Sequence, residues 1–284
     1  MERLERIQAR IRNLGQLLDV VGAMRSMAAF RLQQAVAALA GARAYAAIMA
    51  EAMAEAEELA DRHAAPEARP GMAGVLVFGS EHGFVGAFNE TLMAEAGRPA
   101  PARLFVVGAR GAAFAEEAGL ASEWSLPMTG RIDGVATLGR RLAERLYPLF
   151  GGGGLGSLDV IHGTVGEGLR WRPRRTRLLP LEPARRPAGR RRPFPPIHTL
   201  PAETLIGHLK GQYLVADLVC AATEALAAEN AARLAATGGA HENVERRLGE
   251  LRLREGLLRQ EAVTGELLDV ITGAEMLLGK TERH

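Results

Sequence analysis

The sequence predicts an α/β domain with a largely parallel sheet, inserted between long N- and C-terminal helices that pair as an antiparallel coiled coil. The first sixty residues have helical apolar periodicity, and no proline occurs before Pro66. Helical periodicity returns, again without proline, from Ala202 to Leu278. Between these segments, short apolar runs alternate with helical patterns. We therefore expect helices over residues 1–65 and 202–284, and the α/β domain over residues 72–195.

The N-terminal helix is predicted from apolar or small residues at alternating spacings of three and four. A heptad seam sustained over this length is typical of a coiled coil. At 1.5 Å per residue, the helix would be roughly 85–90 Å long. Its seam becomes rich in alanine after Ala28, so it requires a partner helix. Only Arg25 interrupts the seam, whose other members are Leu4, Ile7, Ile11, Leu14, Leu18, Val21, Ala28, Leu32, Ala35, Leu39, Ala42, Ala46, Met49 and Met53.

The middle segment carries the signals of a Rossmann-like α/β domain. The run GVLVFG (74–79) predicts a buried strand followed by a glycine turn, and RLFVVGARG (103–111) predicts a second strand and turn before a helix that continues to Ala118. Residues 135–147 have the pattern of an amphipathic helix, and residues 158–162 that of a third strand. Strands alternating with helices favour a parallel sheet.

An arginine-rich segment follows, with ten arginines and several prolines between Arg170 and Arg192. Its prolines exclude a regular helix, so we expect an edge strand followed by an exposed loop. The arginines could be solvated or could contact an anionic partner. Nucleic-acid binding is not expected, because Trp171 is the only aromatic residue among these arginines and no known nucleic-acid-binding fold accompanies the segment.

The C-terminal helix ends in a segment that is apolar around its whole circumference. Such a helix must be embedded, and here little of the same chain remains to cover it, so we expect other subunits to enclose this tip. Upstream, Gly238 and Gly239 predict a local unwinding or kink. The apolar residues of the tip are Leu267, Leu268, Val270, Ile271, Met276, Leu277 and Leu278.

Composition limits the function classes. Hydrophobic residues make up 48% of the chain and aromatic residues only 5%, which favours helices over a β-sandwich. Cys220 is the only cysteine and the seven histidines are scattered, so we expect no intramolecular disulfide and no metal site. We expect no cofactor either. We expect neither a membrane-spanning segment nor a signal peptide, because no run of eighteen apolar residues exists and Glu2 and Glu5 lie near the start.

An enzymatic function is also not expected from the glycines. Gly79, Gly83 and Gly86 give the spacing G-x-x-x-G-x-x-G, which differs from the dinucleotide fingerprint, and no G-x-x-x-x-G-K-[ST] sequence occurs. The run Gly151–Gly154 is interpreted as a flexible loop. These observations disfavour a nucleotide-dependent enzyme, which is kept as a rival interpretation. A second rival is a coiled-coil scaffold or nucleic-acid-binding protein.

Six segments, in order along essentially the whole chain, resemble motifs of the F-type ATP synthase gamma subunit. They are AMRSMAAFR (23–31), SEHGFVGAFN (80–89), VVGARGAAFAEEAG (106–119), LLPLEP (178–183), AENAARLAA (228–236) and RQEAVTGELLDVITGAEML (259–277). The sequence departs from the family pattern at Glu81 and His82, at residues 16–20 and at residues 237–240. These departures suggest a divergent branch, such as an alternative ATPase carried beside a housekeeping enzyme.

The resemblance implies a central-stalk rotor subunit without a catalytic site. Its partners would be the alpha and beta subunits of the catalytic hexamer, the epsilon subunit and the membrane-embedded c-subunit ring. The complex would lie at the cytoplasmic face of a bacterial inner membrane, with this chain as a peripheral subunit. The coupling ion cannot be read from this chain, because the ion ligands belong to other subunits.

The resemblance also implies three groups of contact residues. Met24, Arg25 and Met27 would face the beta-subunit levers, and Arg259 and Gln260 would contact a beta-subunit loop. Leu267, Ile271 and Leu278 would lie in the inner bearing of the hexamer. Two alternatives remain open: Arg25 could lie over the seam by its aliphatic stem, and Arg259 and Gln260 could form a solvated polar face.

Overall fold

The computed structural model describes residues 2–59, 71–181 and 197–281, with the side chains of residues 2, 57–59, 269 and 272–281 left out. It divides into two compact units. One unit comprises Met1–Arg25 with Thr237–His284, and the other comprises Ser26–Ala236. The exposed loop predicted between Arg185 and Arg192 lies outside the described residues, as do Glu182 and Pro183 of the fourth motif.

Both predicted terminal helices are present: α1 spans Glu2–Leu59 with 58 residues, and α5 spans Ala202–Thr281 with 80 residues. Every predicted seam residue of α1 is buried or half-buried. Ile7 and Val21 are buried in the first unit, and Leu32 and Ala35 are buried in the second. The heptad pattern therefore predicted the packed face of α1 correctly.

The two helices run antiparallel within each unit. In the first unit, the Gln8 amide donates a hydrogen bond of 2.9 Å to Glu255. Further along α1, a Cβ atom on Gly22 would stand 3.9 Å from the ring of His241, which is earlier on α5. In the second unit, Arg43 contacts Glu224 at 2.6 Å, while Met53, further along α1, packs with Ile206, earlier on α5. Residue numbers rise on one helix as they fall on the other, so the predicted antiparallel pairing is confirmed.

The second unit contains a five-stranded sheet in the order β3-β2-β1-β4-β5. Its strands are β1 (Met72–Phe78), β2 (Arg103–Val107), β3 (Trp124–Leu126), β4 (Leu155–Val165) and β5 (Trp171–Leu179). Pairs β1–β2, β1–β4 and β2–β3 are parallel, and β5 is antiparallel to β4. This confirms the largely parallel sheet and the arginine-rich edge strand.

Helices cover both faces of the sheet. On one face, helices α2 (Phe88–Ala96) and α3 (Ala109–Glu117) pack against Val75, Val77 and Ile161. On the other face, α4 (Val135–Gly151) and α5 pack against a buried cluster that includes Leu76 and Phe78. Since α5 belongs to the core of the α/β domain, the C-terminal helix is not a separate appendage in this unit.

Two local expectations change. Helix α5 is continuous through Gly238 and Gly239, so the predicted unwinding there is wrong, while the alternative of a kink stays a prediction. Two glycines weaken a helix by about 1 kcal/mol each, which α5 tolerates, since Thr237 and Val244 beside them are buried. Helix α2 and strand β3, of nine and three residues, were not predicted at all.

By length and composition alone, α1 could cross a membrane. Its segment Arg3–Ala56 contains an 18-residue window with mean hydropathy 1.3. That hydropathy reflects the alanine-rich half of the helix. Within the second unit, however, Leu32 and Ala35 belong to the buried cluster shared with α5, and Arg43 forms an ion pair with α5. These contacts are those of a coiled-coil helix that is paired with another helix of the same chain.

Candidate functional site

The loop after β1 is closed by two polar residues, Ser80 in the loop and Asn89 in the first turn of α2. The Ser80 amide donates to the Asn89 side chain at 2.9 Å, and the Asn89 amide group donates back to the Ser80 hydroxyl at 2.9 Å. Both residues are buried. Gly79 lies so close to Gly111 that a Cβ atom on it would stand 2.7 Å from the Gly111 Cα. These contacts give a structural reason for the serine, the asparagine and the glycine of this segment.

Glu81 in this loop acts as an internal anion. Its Oε2 atom accepts hydrogen bonds from the backbone N–H groups of Ala109, at 3.0 Å, and Met128, at 2.8 Å. Ala109 is the first residue of α3, so the carboxylate lies at a helix N-terminus, where the helix dipole favours negative charge. In nucleotide-binding α/β folds a ligand phosphate occupies such a position. Here it is taken by a side chain of the same protein.

A buried ion pair on α5 holds the same loop from the other side. Arg233 and Glu229 lie one helical turn apart and approach to 2.6 Å, with their side chains only 8% and 5% exposed. Arg233 also donates to the carbonyl oxygens of His82, at 3.1 Å, and Gly83, at 3.2 Å. Glu229 accepts from the Glu81 amide at 3.3 Å. The loop and the α5 segment 228–236 therefore form one polar network.

This network presents Phe84 to solvent. Phe84 adopts φ 61°, a left-handed conformation that is unfavourable for a bulky residue, and Gly86 follows with φ 58°. The Phe84 side chain is 64% exposed. A strained backbone persists only where its surroundings fix it, and here Arg233 binds the carbonyls on the preceding residues. Sequence analysis missed Phe84; the signal available was an aromatic residue between glycines in a turn.

Comparison with known proteins decides the family. The family model described as ATP synthase matches residues 3–277. Two curated relatives, each named ATP synthase gamma chain, are 26% identical: that of Desulfitobacterium hafniense, aligned over 95% of this chain and 98% of its own length, and that of Moorella thermoacetica, aligned over 98% and 100%. The chain belongs to the ATP synthase gamma family.

The fold agrees with that family. A chain in the structure of the Euglena gracilis mitochondrial ATP synthase described as OSCP/F1/c-ring covers 100% of this chain and 97% of its own length, with a TM-score of 0.66 and 11% identity. A chain in the rotor structure of the same enzyme gives a TM-score of 0.60, covers 92% and 99%, and is 10% identical. The comparisons give no support to a scaffold or nucleic-acid-binding protein.

The contact residues implied by the family resemblance are divided between the two units. In the first unit, Met24 is half-buried, and Arg25, Arg259 and Gln260 are exposed. In the second unit, Met27 is 55% exposed. None of these positions is tested by the comparisons, so their roles stay predictions.

The described apolar residues of the α5 tip are exposed within their own unit. Gln8 contacts Glu255, so the first described residue of α1, Glu2, lies level with the segment just beyond Arg259. Leu267 is 58% exposed and Ile271 is 54% exposed. Leu278 belongs to α5, but its side chain lies outside the described part of the chain.

The arginines of β5 mostly contact acidic groups of the same chain. Arg175 contacts Asp159 at 2.8 Å, and Arg177 forms an ion pair with the same carboxylate. Arg174 lies 3.8 Å from Glu224. In the strand part of the arginine-rich segment, the anionic contacts are thus internal.

Between β5 and α5 lies a cavity of about 160 Å³, lined by residues that include His162, Arg174, Thr176, Asp217, Cys220 and Glu224. Burial raises the pKa of Asp217 to about 6. Among the described residues, no hydrogen bond or ion pair compensates this carboxylate. Its ionised form is therefore unfavourable in the folded protein.

We expect Asp217→Asn to stabilise the protein near pH 7.5. The folded-state pKa lies above its ordinary value of 3.8, so the unfolding free energy falls as pH rises from about 4 to 6 and stays low above that. Because Asp217 is partly solvated, removing the charge should add about 1–2 kcal/mol at pH 7.5 and much less at pH 4. Urea unfolding at both pH values measures this. Asp19→Asn, at an exposed position of α1, is the matched control, and equal gains at both pH values would contradict the assignment.

Proposed function

We propose that this chain is the central-stalk rotor subunit of an F-type ATP synthase. It couples ion translocation through the c-subunit ring to ATP synthesis or hydrolysis in the hexamer of alpha and beta subunits. It also contacts the epsilon subunit, and it works as a peripheral protein at the cytoplasmic face of a bacterial inner membrane. The observation that carries this proposal is the family match over residues 3–277 on a fold in which the apolar residues Leu267, Val270 and Ile271, near the end of α5, are exposed.

In this proposal the chain carries no catalytic site and acts mechanically. The carboxyl ends of β1 and β2, where α/β enzymes bind nucleotides, are occupied by Glu81, and Arg233 holds the loop that carries it. An asymmetric shaft can bias a bistable element in each beta subunit by offering it different contacts in each orientation. The proposed contacts are Met24, Arg25 and Met27 on α1, Arg259 and Gln260 on α5, the bearing residues Leu267, Ile271 and Leu278, and the loop residue Phe84.

The domain division proposed for this role is the one expected from sequence. The helices over residues 1–65 and 202–284 form the shaft, and the domain over residues 72–195 rests on the ring. The interior of the second unit, where α5 packs on the sheet, supports a firm attachment between domain and helices.

The direct test is co-expression of this chain with the alpha and beta subunits encoded nearest to it. We expect a stable complex whose ATP hydrolysis turns a bead attached to this chain. Omission of the chain should leave the alpha and beta subunits without rotation. A chain that purifies alone, without affinity for either subunit, would contradict the proposal.

We expect the substitutions Leu267→Ser and Ile271→Ser, made together, to weaken assembly with the alpha and beta subunits. Each apolar side chain that a partner buries contributes about 1.5–3 kcal/mol, so affinity should fall at least about tenfold. Because both side chains are exposed in the chain itself, the unfolding of the isolated protein should not change. Size-exclusion titration measures affinity, with Glu266→Gln on the same turn as the control. Unchanged affinity would remove these residues from the bearing.

We expect Arg259→Ala to lower the ATP hydrolysis rate of the assembled complex about ten- to a hundredfold, since a hydrogen bond to a charged group contributes about 1.5–3 kcal/mol. Arg254→Ala, an exposed arginine on another face of α5, serves as the control. Steady-state hydrolysis with matched complex concentrations measures the effect. If both variants match the wild-type rate, Arg259 belongs to a solvated face.

A further inference from the structure

Glu224 on α5 is contacted from three other elements of the second unit. Its side chain is only 6% exposed. From α1, Arg43 donates to Oε1 through Nη2 at 2.6 Å and through Nε at 3.1 Å. From β4, His162 Nδ1 lies 3.7 Å from Oε2, and from β5, Arg174 Nη1 lies 3.8 Å from the same oxygen. One carboxylate therefore joins both long helices to two strands of the sheet.

The charges at this junction explain why the carboxylate is tolerated. A buried carboxylate is costly unless it is paired and hydrogen-bonded. Burial lowers the pKa of the His162 imidazole, so His162 does not supply the compensating charge at neutral pH. That charge comes from Arg43 and Arg174, whose side chains are 59% and 58% exposed and reach inward to Glu224.

The contacts of Glu224 are directional, whereas the packing around them between α5 and the sheet is apolar. The same face of the sheet is otherwise joined to α5 by apolar side chains such as Leu158, Val160, Leu214 and Leu218. Apolar burial is non-directional, so it resists separation of helix and sheet better than it resists sliding. Charge-assisted hydrogen bonds have defined geometry and fix the register of the groups that they join.

We propose that Glu224 is the positioning residue that locks the sheet of the α/β domain to both long helices against sliding under torque. This inference rests on the proposed rotor function, in which force enters the chain through the α/β domain and leaves it through the helices. Glu224 lies outside the six segments that resemble family motifs.

The test uses the complete ATP synthase, reconstituted in vesicles with this chain in wild-type or variant form. The measured quantity is ion pumping per ATP hydrolysed, together with subunit content and hydrolysis rate. We expect Glu224→Gln, which keeps the shape but removes the charge, to lower the pumping ratio at least about twofold, because the charge-assisted hydrogen bonds from Arg43 on α1 and the ion-pair contact with Arg174 on β5 are weakened together. Assembly and hydrolysis should be retained.

Two further variants keep the test valid if Glu224→Gln disturbs folding. Arg43→Gln and Arg174→Gln alter exposed ends of the junction, and each should lower the pumping ratio by a smaller factor than Glu224→Gln. Glu123→Gln removes a carboxylate that pairs with Arg103, a contact that involves neither long helix, and should leave the ratio unchanged.

The outcomes separate this inference from the proposed function. If the wild-type chain fails to assemble or to support pumping, the rotor proposal itself fails. If the wild-type complex pumps and the three junction variants pump equally well per ATP hydrolysed, only the role of Glu224 is overturned. A loss of assembly in all three junction variants, with a normal ratio in the complexes that remain, would assign the junction to folding and overturn its role in torque.

Discussion

Replacing Arg233 with alanine is expected to lower the free energy of unfolding by about 3–5 kcal/mol, the usual cost of removing one partner of a buried ion pair. Glu229 would remain as an unpaired carboxylate at a position whose side chain is 5% exposed. The carbonyl oxygens of His82 and Gly83 would also lose their donor. Equilibrium urea unfolding of the chain, followed by helical circular dichroism, measures the difference.

Two variants show whether the buried charge is the cause. Arg233→Met combined with Glu229→Gln removes both charges while keeping much of the volume, so it should recover more than half of the loss. Arg246→Ala removes an arginine that bonds Asn243 at the surface of α5, and should cost less than about 0.5 kcal/mol. An Arg233→Ala variant as stable as Arg246→Ala would show that the network does not hold the loop.

Loss of this ion pair should also change the local stability of the loop that it holds. If Arg233 keeps the backbone of Phe84 in its left-handed conformation, its loss should release the loop even in molecules that remain folded. Protease cleavage within residues 80–89 should then accelerate relative to cleavage elsewhere. Faster cleavage only in proportion to global unfolding would mean that the loop is held by other contacts.

The long helices were the most predictable part of the fold, because a seam such as Leu32, Ala35 and Leu39 repeats a simple period over many turns. Strands β1, β2 and β4 were also predictable, since runs such as Val75–Phe78 are buried on both faces of the sheet and apolar throughout, whereas the three-residue strand β3 contains no such run. Neither the helical period nor an apolar run depends on any distant residue. Local sequence was therefore sufficient for these elements.

The network around the loop could not be predicted in the same way. Glu81 meets Ala109 and Met128, and Arg233 meets Gly83, only because the chain returns to the same place after long separations. Motif resemblance marked both segments but gave no partner for either. The partner contacts of Arg25, Arg259 and the α5 tip stay predictions, because the surfaces that they meet belong to other chains.

At Gly238 and Gly239, local sequence led to a wrong prediction, because α5 is continuous there. Propensity assigned a weak point to two adjacent glycines, but the flanking turns bury Thr237, Val244 and Leu248. Tertiary packing contributes more to helix stability than intrinsic propensity does. A local rule therefore failed where packing on both sides opposed it.

Gly163→Val is expected to destabilise the second unit by about 3 kcal/mol, because overpacking a core without free volume forces backbone shifts. Gly163 lies in β4, where α5 crosses the sheet. A Cβ atom on it would stand 2.5 Å from the Ala228 Cβ and 3.0 Å from the Phe88 ring. Thermal unfolding followed by circular dichroism measures the loss. Gly166→Val just beyond β4, where the nearest atom would be 3.8 Å away, should cost less than about 1 kcal/mol.

A compensating change tests the crossing itself. Gly163→Ala combined with Ala228→Gly moves the methyl group from the helix to the strand and so removes the clash. The double variant should therefore be more stable than Gly163→Ala alone, although glycine in a helix costs about 1 kcal/mol of that gain. The crossing also places His162, next to Gly163, against Glu224, one turn from Ala228. If one crossing sets both contacts, Gly163→Val and Glu224→Gln should combine less than additively in unfolding free energy. Strict additivity would mean that the packing and the charged junction are held independently.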